Sequence, residues 1–190
     1  MARKHAVLSA SSAARWIACP PSARLNAEKS DAPSEYAAQG TDAHTLCEYK
    51  LRKALGERVR DPTKNLASYD TEMEECAEAY CQFVTELVGQ FRAESKDTMV
   101  SVEQRVDFSA FVPDGFGTAD TLIISGNAVC IVDYKHGKGI EVSADHNPQM
   151  MCYALGCIQM FDGLYDIDEV RMVIFQPRLA HISEFIISKT

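Results

Sequence analysis

The sequence lacks any apolar run near the roughly 20 residues a helix needs to cross a bilayer. Arg3 and Lys4 precede only the short patch "AVL", too little for the core of a secretory signal. No membrane partner is expected, and a cytoplasmic location is. Positive charge is also in short supply: 19 Lys and Arg against 27 Asp and Glu, a net charge of −8. That balance argues against a protein that simply coats nucleic acid. It leaves room for an enzyme with a local basic groove, and carboxylates gathered to hold a metal would themselves add negative charge. There is no CxxC, and the cysteines number seven, an odd count. Without a secretion signal, reduced thiols are expected rather than a disulfide framework. Internal repeats and low-complexity segments are absent too. What remains, 190 residues with 46% apolar and 24% charged content, is the size and composition of one globular domain.

The periodicities define its elements. "SASSAARWIACP", residues 9–20, reads as a short helix that serines cap and the Pro20-Pro21 pair stops, followed by a polar stretch to about Ser34. "GTDAHTLCEYKLRKALG" reads as a helix with Thr41 as N-cap and Gly56 as its stop. After a loop over 57–69, Asp70 opens a longer helix on which Met73, Ala77, Tyr80, Val84, Leu87 and Phe91 recur at three- and four-residue steps. Cys76 and Cys81 fall on this helix as buried thiols. The period then changes to two, giving a strand over about 99–107. "TADTLIIS" and "AVCIVDYK" follow as strands joined at the hairpin dipeptide Gly126-Asn127. Asn147-Pro148 opens a helix to about Met160 that carries Cys152 and Cys157. "VRMVIFQP" and "HISEFIIS" close the chain as strands. The fold class is therefore α/β or α+β, with a mixed β-sheet flanked by helices.

Charges interrupt the third strand at its end: Asp133 and Lys135 follow the apolar run Val129 to Val132. If Gly126-Asn127 is a two-residue turn, Ser125 pairs with Ala128, and counting back sets Asp120 opposite Asp133. Their Cβ atoms would be roughly 5 Å apart, and like charges so placed destabilise a sheet. Lys135 shares the face of Asp133. A divalent cation such as Mg2+ or Mn2+, held by carboxylates, water and a substrate phosphate, would make the pair tolerable. The plain alternative is a solvated Asp133–Lys135 pair at a strand end with Asp120 in a turn, and a one-residue slip in register would separate the acids.

An acid on one strand and Asp-x-Lys on the next, here "GTAD" ending at Asp120 and Asp133-Tyr134-Lys135, resembles the PD-(D/E)xK nuclease superfamily. Further motifs sharpen the likeness. "GTDAHTLCE" is similar to the Gly-Thr-x-x-His-x-x-x-Glu helix of the RecB/AddB-like exonuclease branch. "QMMCY", Gln149 to Tyr153, is similar to its Gln-x-x-x-Tyr helix, and the N-terminal Ser-rich helix ending in Cys-Pro also resembles that branch. The resemblance spans about residues 9–176 and looks closest to a phage- or prophage-associated group. It implies a single nuclease domain over 1–190 with a restriction-endonuclease-like αβββαβ core. The implied activity is metal-dependent hydrolysis of DNA phosphodiesters, exonucleolytic by the same likeness. DNA and phage recombination proteins would be the partners, in a bacterial host.

Carried over by position, the resemblance makes His44, Asp120 and Asp133 ligands of Mg2+ or Mn2+, with the Tyr134 carbonyl a fourth. Lys135 becomes the catalytic lysine. Gln149 and Tyr153 would position DNA or the active-site side chains, and Glu103 on the first strand would be an outer acid. Each residue also has a structural reading. His44 shares a helix face with Glu48, which would serve only as a partner of Arg52. Tyr153 would pack on the core beside an exposed Gln149. His136 and Lys138 would form either a basic loop that touches phosphate or a solvated charge run. Some RecB-like nucleases bind an iron–sulfur cluster through one N-terminal Cys and a later group of three. Cys19 has no such later group, so no cluster is expected within these residues. The ending "EFIISKT" reads as a strand just finishing, so further sequence beyond it is compatible with the pattern. Two rivals stay open: a catalytically silent nuclease fold that binds DNA or protein, and a metal hydrolase of a non-nucleic-acid phosphoester.

Overall fold

The computed structural model describes residues 6–27 and 34–188. Arg3, Lys4 and the last two residues of "EFIISKT" lie outside them. A 3-10 turn at Ala10–Ser12 leads into α1 (Ala13–Ala18), then α2 (Pro21–Ala27), α3 (Glu35–Ala54) and α4 (Thr71–Glu94). Strands β1 (Thr98–Asp107), β2 (Phe116–Ser125) and β3 (Ala128–Tyr134) follow, then α5 (Pro148–Phe161), β4 (Glu169–Gln176) and β5 (His181–Ser188). The five strands form one mixed sheet in the order β1-β2-β3-β4-β5. Neighbours are antiparallel except β3 and β4, which run parallel because α5 crosses over between them. The expected αβββαβ order, with one further strand, is therefore present.

The sheet is covered on both faces, which is why β2 and β3 read as nearly continuous apolar runs. Leu122, Ile124, Val129 and Ile131 pack with α5 and the N-terminal helix. Ile123, Cys130, Val132 and Tyr134 pack with α3 and α4. All six residues that set the period of α4 are buried, and its start is the expected one, with the Asp70 carboxylate accepting the Met73 N–H at 2.7 Å. Asn147 caps α5 in the same way, with Pro148 in the first turn. The hairpin closes at Ser125↔Ala128 as the Gly126-Asn127 dipeptide requires, with Gly126 at φ +58°. All seven cysteines are free thiols, and all but Cys19 are buried.

Three boundaries differ from expectation. The first helix does stop before the prolines, at Ala18, but Pro21 then opens α2 within the expected polar stretch, since a proline lacking an N–H is as suited to a first turn as to a stop. Helix α3 starts at Ser34, whose hydroxyl accepts the Ala37 N–H, and not at Thr41. Thr41 lies inside the helix and bonds back to the Ala37 carbonyl at 3.0 Å. The serines before α1 bond to one another, Ser9 to Ser12 at 2.8 Å, and provide no side-chain cap.

Helix α5 lies unusually close to β1. A β-carbon added at Gly156 would collide with Val106 Cγ1 and sit 2.7 Å from the Asp107 carbonyl oxygen. Gly156→Ala gains roughly 1 kcal/mol of helix propensity, but it meets backbone that cannot rotate away, at about 1–3 kcal/mol. We expect a net loss of about 1 kcal/mol in urea unfolding. A midpoint that stays put or rises would mean that α5 sits farther from the sheet.

Candidate metal centre

Two ladders fail at one place. Pairing of β1 with β2 runs from Thr98↔Ser125 to Val102↔Thr121, resumes at Gln104↔Ala119, and skips Glu103 and Asp120. Glu103 has φ +52°, a left-handed conformation that residues with side chains rarely adopt and that clusters at functional sites. Strict alternation breaks there. Val102 packs with the α3/α4 core but Val106, four residues on, packs with the α5 core. On β2, Ala119 likewise joins Leu122 rather than Ile123. Both strands turn over together and bring Glu103 and Asp120 to His44 of α3. One donor atom from each of the three residues lies within 4.8 Å of the others, and His44 Nδ1 is 3.2 Å from Asp120 Oδ1.

The facing pair of aspartates expected from the hairpin is not a ladder pair. The β2–β3 ladder ends at Thr121↔Val132. Asp120 Oδ2 instead accepts the Tyr134 N–H at 2.7 Å, so the carboxylate replaces a strand carbonyl and the charges part. Asp133 turns toward α5, where its Oδ1 accepts from Gln149 Nε2 at 2.7 Å. Its Oδ2 lies 2.8 Å from Lys135 Nζ, a close ion pair without an aligned hydrogen bond, so this buried oxygen has no directed donor. Lys135 Nζ in turn donates to Gln149 Oε1 at 2.9 Å. Glu103, expected as an outer acid, thus takes the place in the tight cluster expected for Asp133. The aspartates remain near enough for the Asp120 charge to act on the Asp133 carboxyl.

The Tyr134 N–H is what ties that residue to the site. Its ring meets His44 edge-on at 5.5 Å, and its hydroxyl lies 2.8 Å from His136 Nδ1. Tyr153 donates to the Thr118 carbonyl at 2.6 Å and accepts weakly from Gln149 at 3.4 Å. Its ring passes so close to Gly117 that an added β-carbon would lie 2.9 Å from it, which explains the glycine of "GTAD". Glu48 is the Arg52 partner its plain reading gave it, at 2.8 Å. Arg52 adds a contact no sequence signal announced: it donates to the Val102 carbonyl at 2.8 Å and anchors β1 just before the Glu103 turn. His136 and Lys138 do not form an open basic loop. His136 is buried, and Lys138 and Arg178 are both held by Glu72, at 2.7 and 2.8 Å.

Crowded carboxylates set the protonation of the cluster. Burial alone would lower the His44 pKa, but the charge and hydrogen bond of Asp120 outweigh it, with Asp133 and Glu103 adding, and push it up to about 9. Burial, then the Asp120 charge, raises Glu103 to about 7. Burial raises Asp133, with Lys135 opposing and Asp120 adding. For Lys135, burial is outweighed by Asp133, which holds the ammonium in its charged form. His44, Glu103 and Asp120 together can hold a metal ion. Bond lengths of about 2.1 Å to one centre put donors roughly 3–4 Å apart, inside the observed spread. An imidazole with carboxylates is a donor set for a divalent ion, and the Asp133–Lys135 pair lies beside it.

A family profile described as "Protein of unknown function (DUF2800)" matches residues 5–190. The chain belongs to the DUF2800 family. A solved structure described as "Crystal structure of SSO0001" is similar at 17% identity over 80% of this DUF2800 chain and 79% of that one, with a TM-score of 0.30. Among the described residues of the DUF2800 chain, no helix is long and apolar enough to cross a membrane.

Without metal, the folded state holds protons at both raised groups, so stability falls as pH rises. Glu103 acts between its ordinary 4.5 and about 7, and His44 between its ordinary 6.5 and about 9. A bound dication replaces those protons. In thermal melts of this DUF2800 protein, Mn2+ should therefore raise Tm more at pH 8.5 than at pH 6. An equal shift at both pH values, or none, would contradict the cluster.

Proposed function

We propose that this protein is a metal-dependent deoxyribonuclease of the PD-(D/E)xK type, related to the RecB-like branch, hydrolysing DNA phosphodiesters. The observation that carries the reading is the meeting of His44, Glu103 and Asp120 from three elements, with the Asp133–Lys135–Gln149 group beside them. Six side chains of four chemical kinds, all of them named by the nuclease likeness, gather at one end of the sheet, and this supports the reading.

His44, Glu103 and Asp120 would hold Mg2+ or Mn2+, with Asp133 next to them. Such an ion, when bound, supplies positive charge against a scissile phosphate and acidifies water. The chain's own residues do the rest. Asp133 keeps Lys135 charged, so the lysine acts as a donor that stabilises developing negative charge on a phosphate oxygen rather than as a resting base. Gln149 fixes both ends of that pair, its amide donating to Asp133 and its carbonyl accepting from Lys135. Tyr153 holds Gln149 and the β2 backbone at Thr118, two residues before Asp120. Its role is positioning.

Asp120→Asn keeps an oxygen to accept the Tyr134 N–H while removing the charge, and Lys135→Ala removes the donor. Each should lower Mn2+-dependent digestion of linear DNA by about 100-fold or more, with Asp120→Asn melting within a few degrees of the native protein. Digestion at the native rate by either variant sinks the mechanism. Native protein that binds DNA with Mn2+ but leaves it intact would be a silent nuclease fold. Cleavage of a small phosphodiester but not of DNA would make it a different metal hydrolase.

A further inference from the structure

Beyond the Glu103 turn, the β1–β2 ribbon carries a feature the metal chemistry does not use. Val106 faces the α5 core, so Arg105 and Asp107 face the opposite side, toward which Glu103 and Asp120 reach His44. Phe116 is the cross-strand partner of Asp107. The Arg105 guanidinium carbon lies over the Phe116 ring, 3.6 Å from its centroid, and Arg105 is in no ion pair among the described residues. The two side chains form one wall of a cleft of about 440 Å³, whose other walls include Val7, Asp107, Ser109 and Asp114. Along the strands, Arg105 is two residues from Glu103, roughly 7 Å, and Phe116 is four from Asp120, roughly 13 Å.

The geometry points to a nucleobase subsite in this cleft, which rests on the nuclease reading and adds to it the class of DNA that is engaged. A guanidinium stacked on a ring offers a second planar face, the surface on which a base stacks with little regard to sequence. The volume suits a nucleoside-sized group. The carboxylates of Asp107 and Asp114 are acceptors for the amino groups of adenine, cytosine or guanine, and they disfavour a phosphate. Asp107 is fixed at the cleft by Ser109, whose N–H its Oδ1 accepts at 2.8 Å and whose hydroxyl also bonds the carboxylate. The cleft therefore takes the base while the metal cluster takes the phosphate of the same strand. A base within a duplex has both faces covered by its neighbours. The substrate is thus a single strand, or a duplex end whose terminal base is unpaired.

The test uses a short single strand carrying terminal 2-aminopurine, and its blunt duplex counterpart, with Ca2+ in place of Mg2+ to hold phosphate during the measurement. Native protein should quench the single-strand probe and bind it more tightly than the duplex. Phe116→Leu and Arg105→Ala should each lose the quench and weaken binding by about 10-fold. Arg105→Lys, which keeps the charge but not the plane, should lose the quench as well. Unchanged melting of these surface variants separates the effect from unfolding. Native protein that fails to bind the single strand, variants that quench like the native protein, or a duplex bound as tightly as the single strand would each overturn the subsite. Digestion with Mn2+ is scored separately. Native digestion retained in variants that still quench removes the subsite and leaves the nuclease, whereas quench without any digestion by native protein removes the nuclease and leaves a base-binding cleft.

Discussion

Uncompensated carboxylate charge at the splayed end of β2 and β3 is the constraint around which the rest of the molecule is arranged. Asp120, Glu103 and Asp133 converge there with one ammonium, Lys135, and one imidazole, His44, to offset them. At a few ångströms and an intermediate dielectric, each like-charged pair costs several kcal/mol. The chain meets that cost in part by holding protons: Glu103 is raised to about 7 and His44 to about 9. A dication answers the same need without protons. The electrostatics of the cluster and its capacity for metal are thus one property seen from two sides.

Holding such a cluster open requires a rigid surround. Asp120 serves twice, bonding His44 through one oxygen and the Tyr134 N–H through the other, so the acid is fixed by the strand it interrupts. Arg52, two turns along α3 from His44, anchors the Val102 carbonyl and ties the histidine helix to the strand that presents Glu103. From the other face, α5 can bring Gln149 to Asp133 only because glycine at 117 and 156 lets Tyr153 and the helix backbone approach the sheet. The left-handed residue Glu103 is the strained point in this frame, and the two cores on either side of the sheet keep it there.

Much of this was legible in the sequence, for identifiable reasons. The α4 stripe and the paired caps at Asp70 and Asn147 are local signals backed by burial. Gly126-Asn127 fixed the hairpin register, because few turns other than a two-residue one accept that pair. That register holds only as far as Thr121↔Val132, one pair short of the two aspartates. Nothing in "SVEQRV" marks Glu103 as left-handed, since no glycine or asparagine stands there. The turnover of both strands, which moves Glu103 into the cluster and Asp133 toward α5, is a tertiary event. Arg178 and the reach of Arg52 to β1 had no such signal. A lone arginine gives no periodicity, and its partners lie 106 and 50 residues away. The start of α3 is hard to read because Gly40-Thr41-Asp42 resembles a cap, while the true cap at Ser34 begins two turns that carry no apolar stripe.

The distribution of cations bears on how an acidic protein would meet a polyanion. Around the cluster, Lys135 is committed to Asp133, Lys138 and Arg178 to Glu72, and Arg52 to Glu48 and Glu57. These pairs leave little free positive charge to neutralise a run of phosphates, which is the usual source of affinity for a duplex backbone. Arg105 is turned to a ring instead. A strand bound here would then be held by two unlike attachments, one phosphate at a dication and one base on a stacked plane, rather than by a long electrostatic track. Such a binding mode depends on metal more than on salt. It also reaches a strand end more readily than the interior of a helix, because only an end offers a free base face and a nearby phosphate together. A net charge of −8 and a role on DNA would be compatible on those terms, since the acids that make the protein negative overall are in part acids gathered where a cation could be held.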